Sequence, residues 1–281
     1  MFGREKIELK TPEQMLLMRR AGLVVADAHA AVRAAVGAGV TTAELDAVAA
    51  SVLADAGAGS SFLGYHGYPA VLCVSVNDEI VHGIPGDRVL AAGDVVSVDF
   101  GAVVDGWHGD AAFSMVVPGA DDDGDDELVA TTRAAMWAGV AALASSDRLG
   151  AVGEAVEDVV DAAQAAGRNG GVRYGIVQDY VGHGIGTQMH QPPDVLNYRT
   201  RDRGPRLRAG MCLAVEPMLV RGEQDSDVLE DDWTVVTRDG SRAAHWEHTV
   251  ALHEGGIWVL TAPDGGAEAL SALGVQVAPL A

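Results

Sequence analysis

The feature that most limits the folds open to this chain is a pair of β-branched runs, Val95 to Val104 and Trp107 to Val117, separated only by Asp105-Gly106. A two-residue hairpin turn needs positive φ at both central positions, and Asp-Gly adopts it at little cost. An antiparallel hairpin is therefore expected, with Val104 opposite Trp107 and Asp110 opposite Gly101. Side chains alternate across a strand, so Asp99 becomes the diagonal neighbour of Asp110 on the same face. Carboxylates that close repel unless one is protonated or a cation lies between them. Asp99 also stands among Val96, Val98 and Phe100, where an uncompensated charge is costly. For two acids alone, a pair pointing to solvent from an edge hairpin is an equally good account.

The second half of the chain shifts that balance. Leu213-Ala214-Val215-Glu216-Pro217-Met218 sets another acid in an apolar strand, and Trp246-Glu247-His248 does so again before Thr249-Val250-Ala251-Leu252. No Lys or Arg lies in any of these strands, so a metal is the economical compensator. Gly182-His183-Gly184-Ile185-Gly186 adds an imidazole in a backbone stripped of side chains, as close approach to a ligand requires. Four carboxylates and one neutral imidazole carry a charge of −4, which two divalent cations cancel. Oxygen-rich ligation of this kind suits Mn, Fe or Co, with Zn admissible, rather than a closed thiolate site.

Around these acids the elements repeat. Thr11-Pro12-Glu13-Gln14 reads as a capping box opening a helix to about Ala35, and Thr41 with Glu44 opens a second one ending near Gly57. A strand is expected over Val71 to Val76. After the acidic stretch 121–126, read as a solvated loop because it lacks calcium-loop spacing, Glu127 to Ser145 and Ala151 to Ala166 form two more helices before further strands. Leu90-Ala91-Ala92-Gly93 precedes Asp99 as Leu207-Arg208-Ala209-Gly210 precedes Glu216, nine residues apart in each case. A duplicated fold with its site between the halves produces such an echo.

The formal charge of −21 removes the phosphate-neutralising surface that nucleic-acid binding requires. Two cysteines, no apolar signal-peptide core and no run of ~18 apolar residues point to the cytoplasm and to no membrane. A monomer is the default.

Asn77-Asp78-Glu79-Ile80-Val81-His82-Gly83-Ile84-Pro85, Asp99, Asp105-Gly106-Trp107-His108-Gly109-Asp110, Gly182 to Gly186, Glu216-Pro217-Met218 and Glu247-His248-Thr249 together resemble the type I methionine aminopeptidases, from about Pro12 to Leu260. The resemblance implies an α+β pita-bread fold of two pseudo-symmetric halves, with outer helices over a curved antiparallel sheet. One catalytic domain, 1–281, would hold halves of about 11–120 and 127–260. It implies Asp99, Asp110, His183, Glu216 and Glu247 as ligands of two divalent ions, with Asp110 and Glu247 bridging. A hydroxide between the ions would attack the carbonyl after an N-terminal methionine, with Glu216 shuttling the proton, His190 on the carbonyl oxygen and His82 on the scissile nitrogen. The methionine pocket would be walled by Phe62, Tyr65, Tyr68, Cys73, Trp233 and Met189, with His66 near the next subsite. Met189 replaces an expected aromatic and Phe62 an expected thiol.

Nascent polypeptide N-termini are the implied partners, and Arg199, Arg201, Arg203, Arg206 and Arg208 are the one basic cluster suited to a transient ribosome contact. The rivals are a proline-specific peptidase of the same fold, which usually carries an extra N-terminal domain, a binding protein that has lost its ligands, and a non-catalytic ribosome factor. The family acts when the second residue is small, and here the second residue is Phe2. The chain is therefore predicted to keep its own Met1; an intact mass lacking one methionine would count against that rule.

Overall fold

The computed structural model of the chain describes residues 6–121, 124–167 and 170–280. Thr11 caps Pro12–Ala35 and Thr41 caps Thr42–Ala56, both through complete capping boxes, and Gly57 ends the second helix in the left-handed region. Met15, Met18, Ala21, Val25, Ala28 and Val32, three or four residues apart, are the buried stripe of the first helix. That helix packs on the hairpin through two glycines. A Cβ on Gly109 would lie 2.7 Å from the Gly22 amide nitrogen, and one on Gly22 would lie 2.2 Å from the Leu260 carbonyl. Any side chain at either position would push the helix off the sheet.

The hairpin forms in the expected register: Val95–Val104 pairs with Trp107–Val116, with Val104 opposite Trp107, Gly101 opposite Asp110 and Asp99 opposite Ala112. Among the described residues, nine strands build one antiparallel sheet that continues from this hairpin through Glu247–His253, Cys212–Val215 and Gly182–Gly184 to Gln191–Val195. Helices Pro12–Ala35 and Thr42–Ala56 cover the hairpin, and Asp125–Ser145 packs with Ala151–Ala165 over the later strands. The result is the α+β pita-bread architecture. One apolar core gathers residues from Val25 to Val117 and another from Leu128 to Leu270, with Trp246 packed against both.

The sequence echo marks one turn used twice. Gly93 and Gly210 both take positive φ, and their amides donate to the ends of the partner strands at Val117 and Leu252 (2.9 and 2.8 Å). Asp94 N–H bonds to Ala91 just as Met211 N–H bonds to Arg208.

Two expectations change. The strand expected from Val71 begins at Cys73, because the Val71 and Leu72 amides both donate to the Asp46 carboxylate (3.0 and 2.8 Å) instead of to a strand. The acidic stretch is not wholly a solvated loop: residues 122 and 123 lie outside the described residues, but Asp125 is buried and takes ion pairs from Arg221 (3.3 Å) and Arg242 (2.6 Å). The helix it opens, Asp125–Ser145, is long and apolar enough to cross a membrane by length and composition. Its Leu128, Ala135, Met136, Val140 and Leu143 are instead buried in the second core.

His29, on the first helix, stacks edge-on to Phe113 at 4.9 Å with its Nε2 shut away from any hydrogen-bond partner. Burial, then the charges of His248 and Arg33, push its pKa down to about 3. The folded chain thus binds this proton less readily than the unfolded one, so the stability it carries is present above pH 6.5 and lost as pH falls toward 3. From pH 6.5 to 5 the loss is about 2 kcal/mol, at ~1.4 per unit. Urea unfolding at the two pH values should show His29→Leu with a pH dependence flatter by about that amount; an unchanged slope would refute the assignment.

Candidate metal centre

Five neighbouring segments of the sheet each deliver one polar side chain to the same place. Ala112 lies opposite both Asp99 and Glu247, so Asp110, two residues away on the same face, is diagonal to both. The next strand, Cys212–Val215, leads straight into Glu216, and Gly182–Gly184 carries His183. Asp110 and Glu247 are 2% exposed, His183 6% and Glu216 8%. No Lys or Arg pairs with any of the four carboxylates among the described residues. Glu216 instead has imidazoles on both sides, His183 Nε2 at 3.3 Å and His245 Nε2 at 3.7 Å.

Burial pushes all four acids upward, Asp110 to about 7 and Asp99, Glu216 and Glu247 well above their ordinary range, and for the latter three the charges of neighbouring acids add to it. Burial also holds His183 and His245 at about 3, so both imidazoles are neutral donors. Nδ1 of His183 lies 3.0 Å from the Gly184 carbonyl, the contact that fixes a ligating tautomer with Nε2 free.

Whether ions fit is decided by the atoms left over. Asp99 Oδ1, Asp110 Oδ1, Glu216 Oε1, Glu247 Oε1 and His245 Nε2 are all buried without a hydrogen-bond partner. Such a convergence of orphaned acceptors is strongly unfavourable alone and is what a cation satisfies. Two donor groups, Asp110-His183-Glu247 and Glu216-His245-Glu247, each fall within 4.8 Å and share Glu247. Either group could hold a divalent ion, with Glu247 available to both.

The site opens into a cavity of about 330 Å³ lined by every residue singled out from the sequence: Asp99, Asp110, His183, Glu216, Glu247, His82, His190, Phe62, Tyr65, His66, Tyr68, Cys73, Met189 and Trp233. Phe62, Tyr68, Cys73 and Met189 form a buried apolar cluster there with Tyr65 and Trp233 against it. Tyr68 ties its hydroxyl to the Leu72 and Gly83 carbonyls (2.9 and 3.1 Å), leaving only its ring to the cavity. Phe62 and Met189, the larger and the smaller of the two departures from the family pattern, thus share one wall. His82 holds a left-handed backbone, φ 60°, uncommon outside glycine and a mark of imposed placement. Its ring meets Tyr180 and Trp233 edge-on, and burial, with the His190 charge, depresses its pKa to about 4. His190 sits at the rim, its Nδ1 2.9 Å from Tyr65 Oη and its ring 4.2 Å from that of His183.

The glycines around His183, read from the sequence as close approach to a ligand, are required instead by the chain's own neighbouring segments. A Cβ on Gly182 would lie 2.4 Å from Ala214 O, one on Gly184 2.3 Å from Pro192 O, and one on Gly186 2.3 Å from Glu8 Oε2. They let the chain's own strands and N-terminal segment close in. Sequence reasoning also missed His245, Asp179, Tyr180, Val81, Val181 and Met218 in the cavity wall. His245 was discoverable: it stands two residues before Glu247, the same-face spacing of a strand. Ser114 fixes it, accepting from its amide and donating to its carbonyl, both at 2.8 Å.

The sequence profile of metallopeptidase family M24 matches residues 16–254. Over 261 residues the chain is 50% identical to methionine aminopeptidase 1 of Mycobacterium tuberculosis, covering 92% of this chain and 96% of the relative. It is 40% identical to methionine aminopeptidase 1 of Bacillus subtilis over 252 residues, 90% of this chain and 98% of the other. The crystal structure of methionine aminopeptidase from Thermotoga maritima superposes with a TM-score of 0.83 at 38% identity, covering 91% of this chain and 99% of that one. Prolidase from Pyrococcus furiosus shares the fold at 19% identity and a TM-score of 0.67, but the match spans only 65% of its length.

Removing one buried carboxylate separates repulsion from ligation. In chelator, Glu247→Gln should melt at or above the wild type, because a like charge is gone. Mn²⁺ at about 100 times its Kd should then raise the wild-type Tm by roughly 5–10 °C and leave the variant nearly unmoved. Scanning fluorimetry of both proteins in chelator and in Mn²⁺ checks this, and a variant that responds to Mn²⁺ like the wild type would exclude Glu247 as a ligand.

Proposed function

We infer from the chain's place in metallopeptidase family M24, to which it belongs as one of the methionine aminopeptidases, that it removes the initiator methionine from new polypeptides whose second residue is small. The observation that carries the reading is the opening of the carboxylate and imidazole cluster into the same cavity as the buried apolar cluster of Phe62, Tyr68, Cys73 and Met189. Asp99, Asp110, His183, Glu216 and Glu247 would hold two divalent ions, Co, Mn, Fe or Zn, which when bound supply Lewis acidity and bring the pKa of a water toward ~7.

The chain's own groups do the rest. Glu216, buried between two neutral imidazoles, is suited by position to take a proton from water and pass it to the leaving amine. Tyr65 keeps its proton, because burial and the Asp110 charge raise its pKa, and so donates to His190 Nδ1. The imidazole proton then sits on Nε2, free to hydrogen-bond the carbonyl oxygen as charge develops. His82, neutral and fixed at the opposite wall, faces the scissile nitrogen. Phe62, Tyr68, Cys73, Met189 and Trp233, with Tyr65, enclose the methionine side chain, and His66 stands at the rim toward the second residue. Burial, followed by the Asp99 charge, raises the Cys73 thiol, which stays neutral against a thioether.

We read residues 1–281 as one catalytic domain of halves near 11–120 and 127–260, acting in the cytoplasm as a monomer. Arg201, Arg206 and Arg208 are what the basic cluster offers to a ribosome, since Arg199 is engaged by Glu157 and Asp158 and Arg203 by Asp147.

The test is hydrolysis of Met-Ala-Ser with Mn²⁺ or Co²⁺, with chelator, and beside Xaa-Pro peptides. Metal-dependent release of methionine, abolished in Asp99→Ala and reduced about 10²–10⁴-fold in Glu216→Gln, is the expected result. Turnover confined to Xaa-Pro peptides would instead make it a proline-specific peptidase, and inactivity with every metal a binding protein.

A further inference from the structure

The tip that carries Met189 and His190 into the cavity is gripped from behind by the N-terminal segment. Glu8 Oε1 accepts from the Thr187 hydroxyl (2.9 Å), and Oε2 accepts from the Gln191 amide group (2.8 Å) and from the Thr187 backbone N–H (3.3 Å). Thr187 and Gln191 bracket the tip, so a single carboxylate clamps both of its ends. Glu8 is itself anchored: Lys10, 5% exposed, donates to the Glu8 carbonyl (3.1 Å) and places its ammonium 3.4 Å from Oε2, while the Lys10 amide bonds to Gly210 O at 2.7 Å. Gly186 makes the grip fit, since a Cβ there would lie 2.3 Å from Glu8 Oε2 and 2.4 Å from Lys10 Cε. On the cavity side, the tip is held by burial of Met189, by the contact of His190 with Tyr65 and by the His183 ring 4.2 Å from that of His190.

We propose that Glu8 is a positioning residue for His190, closing the 187–191 tip from outside so that the imidazole is held over the scissile carbonyl. The proposal rests on the aminopeptidase reading for its consequence in turnover, though not for the clamp itself. Burial works to raise the Glu8 pKa, but the hydrogen bonds from Gln191 and Thr187 and the Lys10 charge bring it below the ordinary value, so the clamp is a carboxylate at neutral pH.

Four Mn²⁺-loaded proteins test it on Met-Ala-Ser: wild type, Glu8→Ala, His190→Ala and the double variant. Glu8→Ala should lower kcat about tenfold with KM changed less than twofold, whereas on the His190→Ala background the same substitution should cost less than twofold, because it acts through a group already gone. Glu8→Gln, which keeps one acceptor oxygen for Thr187, should fall between. An equal loss on both backgrounds, or none on either, overturns the proposal. Hydrogen exchange decides the clamp independently of turnover. The Thr187 amide should exchange at least tenfold faster in Glu8→Ala; an unchanged rate overturns the proposal. A wild type without activity sinks the proposed function and leaves the exchange measurement to judge the clamp.

Discussion

Four carboxylates face one another across the middle of an antiparallel sheet, with no Lys or Arg paired to any of them among the described residues. Their repulsion and desolvation are the constraint around which the rest of the chain is arranged. The hairpin turn at Asp105-Gly106 fixes the register that brings Asp99 and Asp110 together, and the join of Trp107–Val116 to Glu247–His253 brings Glu247 beside them. Helix packing through Gly22 and Gly109 keeps the hairpin from splaying. A sheet joined across both cores holds these acids at short range, and cations held there would relieve their repulsion.

Specificity and catalysis share one cavity because they share the same strands. Cys73 lies directly opposite Asp99 in the ladder, so the wall of the apolar cluster and one of the buried acids are cross-strand neighbours. His82 follows Glu79–Val81 in a strained left-handed turn, and Met189 and His190 sit together at one tip. The apolar cluster and the carboxylate cluster thereby line one cavity.

Much of this was legible before the structure. Capping boxes, the Asp-Gly turn and the acids inside apolar strands are local signals, and each depends on neighbours within about four residues. The Leu90–Gly93 and Leu207–Gly210 echo was legible too, and it corresponds to a turn whose glycine amide closes onto the partner strand in both halves. What failed was long-range. The glycines flanking His183 answer to Ala214, Pro192 and Glu8, none of them near in sequence, and so were misread as making room for a ligand. Asp125 looked like one more solvated acid because Arg221 and Arg242, which bury it, lie about a hundred residues away. Val71 and Leu72 left the strand because of Asp46, on a helix.

The sequence alone determined the local elements, the register of the central hairpin, the family, and the four acids and one imidazole, His183, that were candidates to hold ions. It could do so because turn chemistry, alternation and burial of charge are written in spacing along the chain. Only the tertiary structure decided which donors group together, that Asp110 falls in one group while Glu247 belongs to both, that His245 joins them, and that the N-terminal segment reaches the tip bearing His190. Those contacts depend on how distant strands stack and on which side chains meet across them, and spacing within one strand carries no record of its neighbours in space.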